Sequence, residues 1–122
     1  MITFDTGMLV ALERRHQRAR SIFRRAIERQ LSLLVPSPVV AEWWRGRTDV
    51  REDILAAIHV EPVSEAVARL AGEALASVRG TTAIDAIVMA SAASTGGIVY
   101  TSDVADLGRL TTYFRNVRVL AV

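Results

Sequence analysis

Short apolar runs and helix-like stretches alternate from one end of the chain to the other, and this alternation constrains the fold more than any other feature. Met1–Phe4, Leu33–Val35, His59–Val63, Ile98–Thr101 and Val117–Val122 are runs of the kind that doubly covered strands show. Helix starts lie between them at Ser37-Pro38, at Thr48 or Asp49, at Ser64 after Pro62, at Thr82 and at Asp103, where a side-chain oxygen can accept from a free first-turn amide. Gly46 and Gly80 read as stops, and Gly96-Gly97 precedes the fourth strand. Strands that alternate with helices imply βαβ crossovers. The expected fold is α/β, with a five-stranded, mostly parallel sheet flanked by helices on both faces. At 122 residues it is expected to be a single domain spanning 1–122.

Two helical stretches carry clear faces. Ser64–Val78 places Val67, Leu70, Ala71, Ala74, Leu75 and Val78 at three- and four-residue spacing. Arg14–Arg29 reads as one amphipathic helix with Ile22, Phe23, Ala26 and Ile27 on one face and Arg14, Arg18, Arg25 and Arg29 in a stripe beside it. Residues 13–29 hold seven Arg against two Glu, so the basicity of the chain is a patch. Such a stripe is either a solvated face or a surface for RNA or a protein partner.

Composition removes whole mechanisms. There is no cysteine, and all 15 basic residues are arginine. Disulfides, thiolate nucleophiles, Cys-ligated zinc and iron–sulfur clusters are therefore excluded, and so are a lysine P-loop and a lysine Schiff base. His16 and His59 are too few for a histidine metal site and read as a surface and a structural residue. Chemistry must come from carboxylates, hydroxyls, arginines and backbone. No apolar run is long enough to span a bilayer, and the first twelve residues carry Asp5 without a basic leader, so a cytoplasmic protein is expected.

Three acids are isolated in charge-free sequence. Asp5 is the only charged residue in the first twelve, Glu42 the only one between Arg29 and Arg45, and Asp85 the only one between Arg79 and Asp103. A parallel sheet that grows outward from its first strand and returns to the other side binds ligands in the crevice where the order reverses, just after the first and the returning strand, which is where Asp5 and Asp103 stand. Each acid has a plain structural reading. Asp5 can cap the first helix, Thr82 to Asp85 fits a capping box with a shorter acid, and Asp103 with Asp106 fits a cap plus a first-turn acid. Glu42 sits mid-helix and caps nothing. Four converging carboxylates need a counter-charge, and an all-oxygen donor set selects a hard cation, Mg²⁺ or Mn²⁺. Such an ion can activate water against a phosphodiester, with the arginine patch holding the backbone.

In this order and spacing the residues resemble a PIN-domain ribonuclease, in particular a VapC-type toxin of a type II toxin–antitoxin pair. Met1-Ile-Thr-Phe-Asp5-Thr-Gly-Met-Leu-Val-Ala-Leu resembles the family's first strand and aspartate, and Pro36-Ser-Pro-Val-Val-Ala-Glu42-Trp-Trp-Arg the segment with its glutamate. Ala83-Ile-Asp85-Ala-Ile-Val-Met-Ala and Ile98-Val-Tyr-Thr101-Ser-Asp103-Val-Ala-Asp106-Leu resemble the stretches bearing its other acids, and Val117–Leu120 its closing strand. The resemblance implies a PIN-like fold and an Mg²⁺- or Mn²⁺-dependent endoribonuclease that cuts structured RNA, tRNA or rRNA. It implies Asp5, Glu42, Asp85 and Asp103 as catalytic metal-binding acids, supported by Thr6, Thr101, Ser102 and Asp106. A homodimer and a VapB-type antitoxin are implied partners. Arg14, Arg18, Arg25, Arg29 and Trp44 are candidates for contact with RNA or antitoxin, one of the adjacent Trp43 and Trp44 being core. Tyr100 stands where the family pattern has an aliphatic residue.

Two other function classes compete. A catalytically silent module would bind RNA or a protein through the arginines, but would have no need of four uncompensated acids. A haloacid-dehalogenase-like phosphatase or a receiver domain also places an aspartate where Asp5 stands. The phosphatase needs a second acid where Gly7 stands, and both usually use a lysine that this chain lacks.

Overall fold

The structure, a computed structural model, describes residues 1–122. Five strands, β1 (Ile2–Phe4), β2 (Leu33–Pro36), β3 (His59–Glu61), β4 (Ile98–Thr101) and β5 (Arg118–Ala121), form one sheet in the order β3-β2-β1-β4-β5. Every neighbouring pair is parallel, with Thr3 opposite Leu34 on one side and Val99 on the other. The order reverses between β1 and β4, so the crevice opens beyond Phe4 and Thr101, as the alternation of elements implied.

Seven helices cover the sheet: α1 (Thr6–Glu13), α2 (Gln17–Glu28), α3 (Ser37–Trp43), α4 (Asp49–Ala56), α5 (Glu65–Ser77), α6 (Ala83–Ala93) and α7 (Val104–Gly108), the last running into a 3-10 turn at Arg109–Thr112. Side-chain caps start six of them. Asp5, His16, Thr48, Ser64, Thr82 and Asp103 each accept from an amide three residues on, closing a turn that otherwise leaves free donors. α6 is the central helix: Ala86, Val88, Met89, Ala90, Ser91 and Ala92 are all buried. Its small residues let α5 and the sheet approach closely, and Phe4, Met8, Leu9, Val99 and Leu107 complete a continuous apolar core.

The structure corrects several boundaries. Arg14–Arg29 is not one helix, because Arg14 ends α1 and Arg15 turns the chain at φ 60° before His16 caps α2. Arg14 therefore leaves the stripe. Ile27 is 46% exposed rather than part of the buried face, which consists of Ala19 and Ala26 with Ile22 and Phe23 half-buried. α3 stops at Trp43, with Gly46 at φ 105° making the turn that follows. β3 ends at Glu61, and β5 spans only Arg118–Ala121. No helix is long and apolar enough to cross a membrane.

Candidate active site

Asp5 follows directly on β1 and has little exposed surface. Its Oδ1 accepts from the Met8 amide at 2.8 Å, and its Oδ2 accepts from the Thr101 hydroxyl. Thr101 is wholly buried at the end of β4, and its hydroxyl also accepts from the Asp103 amide at 2.9 Å. One hydroxyl thus links the ends of the two strands that flank the crevice. Asp103 caps α7 by accepting from the Asp106 amide at 3.2 Å, which holds both acids at the mouth.

The other two acids arrive on helices. Thr82 caps α6 by accepting from the Asp85 amide at 3.2 Å, which sets Asp85 in the first turn. Glu42 projects from α3, and its Oε1 accepts from the Thr6 hydroxyl at the start of α1. Asp5, Glu42, Asp85, Asp103 and Asp106 all line one cleft of about 270 Å³, together with Thr6, Ser102, Gly7 and Thr82, and no basic side chain is among its lining residues. The cap readings hold for Asp5, Thr82 and Asp103, and the same segments also line the cleft. A helix that begins just after a parallel strand presents its cap residue to the crevice, and its N-terminus favours a carboxylate there.

Burial pushes the Asp5 carboxyl from 3.8 up to about 6, against the lowering effect of the Thr101 and Met8 hydrogen bonds, and the charge of Asp85 adds to the rise. Asp85 is also raised, first by burial, then by the charges of Asp106, Glu42 and Asp103, with the Thr82 bond opposing. The cleft is an electrostatically unfavourable place for its own acids.

The oxygen-only donor set and uncompensated charge fit a hard divalent cation. No three of the chain's His, Asp and Glu side chains are gathered closely enough in this structure to hold one by themselves.

Of the remaining candidates, Trp43 is buried and donates its indole N–H to Glu13 Oε1 at 2.9 Å, while Glu13 Oε2 pairs with Arg51 at 2.8 Å. Trp44 is half-buried against Trp43 and lines none of the clefts. Arg18, Arg25 and Arg29 face hollows beside α2 that share no residue with the acid cleft. Gly7 and Thr82 were not assigned to the site from sequence. The signal for Thr82 was its cap, whereas Gly7 matters through a contact with distant chain: a Cβ there would lie 2.2 Å from Ser102 Oγ. Tyr100 packs edge-on to Phe4, their ring centres 6.5 Å apart, so the aromatic residue is accommodated in β4.

Residues 2–110 match the PIN domain family. The chain belongs to that family, whose members are in general nucleases. Among solved structures it is similar to VapBC2 from Rickettsia felis bound to a DNA fragment from their promoter, with a TM-score of 0.79 at 13% identity over 100% of this chain and 99% of that one. DNA-bound VapBC from Salmonella typhimurium gives 0.72 at 16% identity over 98% and 96%, and FitAcB from Neisseria gonorrhoeae 0.68 at 19% over 98% and 96%. No curated protein matches the sequence.

Proposed function

We propose that this chain is a divalent-cation-dependent endoribonuclease and the toxin of a toxin–antitoxin pair, acting on structured RNA such as tRNA or rRNA. The observation that carries the reading is the cleft at the strand-order switch, which five carboxylates line without one basic side chain. Membership of the PIN family supports the nuclease, and the likeness to the VapBC and FitAcB structures supports a paired antitoxin; a homodimer is part of the same proposal.

Asp5, Glu42, Asp85 and Asp103 would hold Mg²⁺ or Mn²⁺, which when bound supplies charge neutralisation and an activated water for phosphodiester hydrolysis. The chain's own contribution is preorganisation. Thr101 and the Met8 amide fix both oxygens of Asp5, so the acid does not reorient during turnover. Thr6 donates to one oxygen of Glu42, which lines the cleft. Asp106 and Ser102 stand at the mouth, where they can order water or a sugar hydroxyl.

The test is to induce the chain and its Asp5→Asn variant in bacterial cells and map new RNA 5′ ends. Discrete sites with the parent and none with the variant are expected. Equal cleavage by both would sink the reading. No new ends from either folded protein would leave a non-cutting module that binds RNA or a partner, a reading favoured by the absence of three gathered acids.

A further inference from the structure

Two adjoining hollows of about 530 and 170 Å³ run along α2, share Ile22, Arg25 and Tyr100, and have no lining residue in common with the acid cleft. The smaller hollow has an apolar floor made by Ile2, Ile22, Ala26, Leu31 and Tyr100, with Leu31 46% exposed, and Ile22 and Tyr100 carry that floor into the larger, more polar one. Their rim carries Arg18, Arg24, Arg25 and Arg29, none of which pairs with a carboxylate. Arg18 is held by donating to the Ala121 carbonyl at 3.3 Å, at the end of β5. At the rise of an α-helix, Arg18 and Arg29 lie about 16 Å apart along the axis, the span of about five residues of extended chain.

We propose that this groove docks an acidic, amphipathic segment of a partner polypeptide, its apolar side chains on the floor and its carboxylates on the arginine rim. Charge complementarity sets the sign of the partner, because four unpaired guanidiniums stand against one rim acid, Glu28. The floor decides the class. Its residues are aliphatic apart from Tyr100, so it offers little stacking surface to bases, while a polypeptide can place aliphatic anchors there. A polypeptide can also set a neutral residue opposite Glu28, whereas a nucleic-acid strand carries charge at every step. The proposal stands apart from the nuclease reading, since the groove shares no residue with the acid cleft and binding is read without cleavage.

The test is selection of a random-peptide phage library on the full-length protein in chelator, in parallel with the Arg25→Glu/Arg29→Glu variant, whose substituted side chains are exposed. Peptides rich in Asp and Glu interleaved with Leu, Ile or Phe are expected on the parent, and a synthesised winner should bind the variant about tenfold or more weakly by fluorescence anisotropy. An unchanged melting temperature in the variant shows that the loss is one of contact, and Arg25→Gln/Arg29→Gln repeats the measurement should the reversal unfold the chain. No acidic enrichment, or equal binding to both proteins, overturns the proposal. So does a labelled oligouridylate that binds the parent more tightly than any selected peptide and loses that affinity in the variant, an outcome that assigns the groove to RNA.

Discussion

Replacing Asp5 by Asn is expected to stabilise the metal-free protein while abolishing its activity. The Asp5 carboxyl lies at about 6 against 3.8 ordinarily, because burial outweighs its hydrogen bonds. That is about two pKa units, worth about 3 kcal/mol at about 1.4 kcal/mol per unit. The sign follows from proton uptake. Between these two values the folded state keeps a proton that the unfolded chain has released, so stability is full below pH 3.8, falls as pH rises through about 6, and is level above it. Asn is as good a cap as Asp, so the bond from the Met8 amide survives. The charge-assisted bond from Thr101 does not, at a cost of about 1 kcal/mol. The net gain at pH 7 to 8 is about 2 kcal/mol, or roughly 8 °C in melting temperature for a chain of this length. The assay is thermal unfolding of parent and variant in chelator from pH 4 to 8. The parent should lead by about 1 kcal/mol at acid pH, and the curves should cross between pH 4 and 6, with the variant ahead above the crossing. Parallel curves, or a variant less stable throughout, would refute the reasoning and make Asp5 an ordinary satisfied cap.

Other outcomes follow from the same geometry. A saturating divalent cation at about a hundred times its dissociation constant should stabilise the parent by about 2.7 kcal/mol and the Asp5→Asn variant by much less, as read by melting temperature with Mn²⁺; equal shifts would place the ion elsewhere. Thr101→Val removes a hydroxyl that lowers the Asp5 pKa, so the acid limb of the pH–rate profile should move to higher pH, with activity at neutral pH reduced about tenfold or more; an unmoved limb would separate Thr101 from Asp5. Gly7→Ala puts a methyl 2.2 Å from Ser102 Oγ, forces that hydroxyl into another rotamer and should impair cleavage; parent-level cleavage would show that the position of the hydroxyl does not matter. Glu13→Ala orphans the Trp43 indole and leaves the Arg51 guanidinium only the Gly46 carbonyl, and should destabilise the fold by about 2 kcal/mol in a denaturant titration.

Much of the architecture was legible because its signals are local. A cap is read within three residues and strand-like runs within a few more, so Thr48, Ser64, Thr82 and Asp103 stand where expected. The α1–α2 break was illegible, since Arg15 adopts a left-handed backbone that no Gly or Asn announces. That break also moved Arg14 out of the stripe. Only part of the expected apolar face of α2 is buried, because periodicity identifies a face but not how much of it neighbouring elements cover.

The sequence by itself determined the alternation of elements, the parallel sheet and the isolation of the acids, because backbone geometry and the cost of unpaired charge act on neighbouring residues. Tertiary structure decided what those acids meet. The Thr6–Glu42 bond joins residues 36 apart, and the Thr101–Asp5 bond joins residues 96 apart. It also decided that the arginines face a separate groove rather than the acids they could have neutralised. Pairings across such separations depend on how helices pack on the sheet, which is set by the whole core at once and by no local pattern.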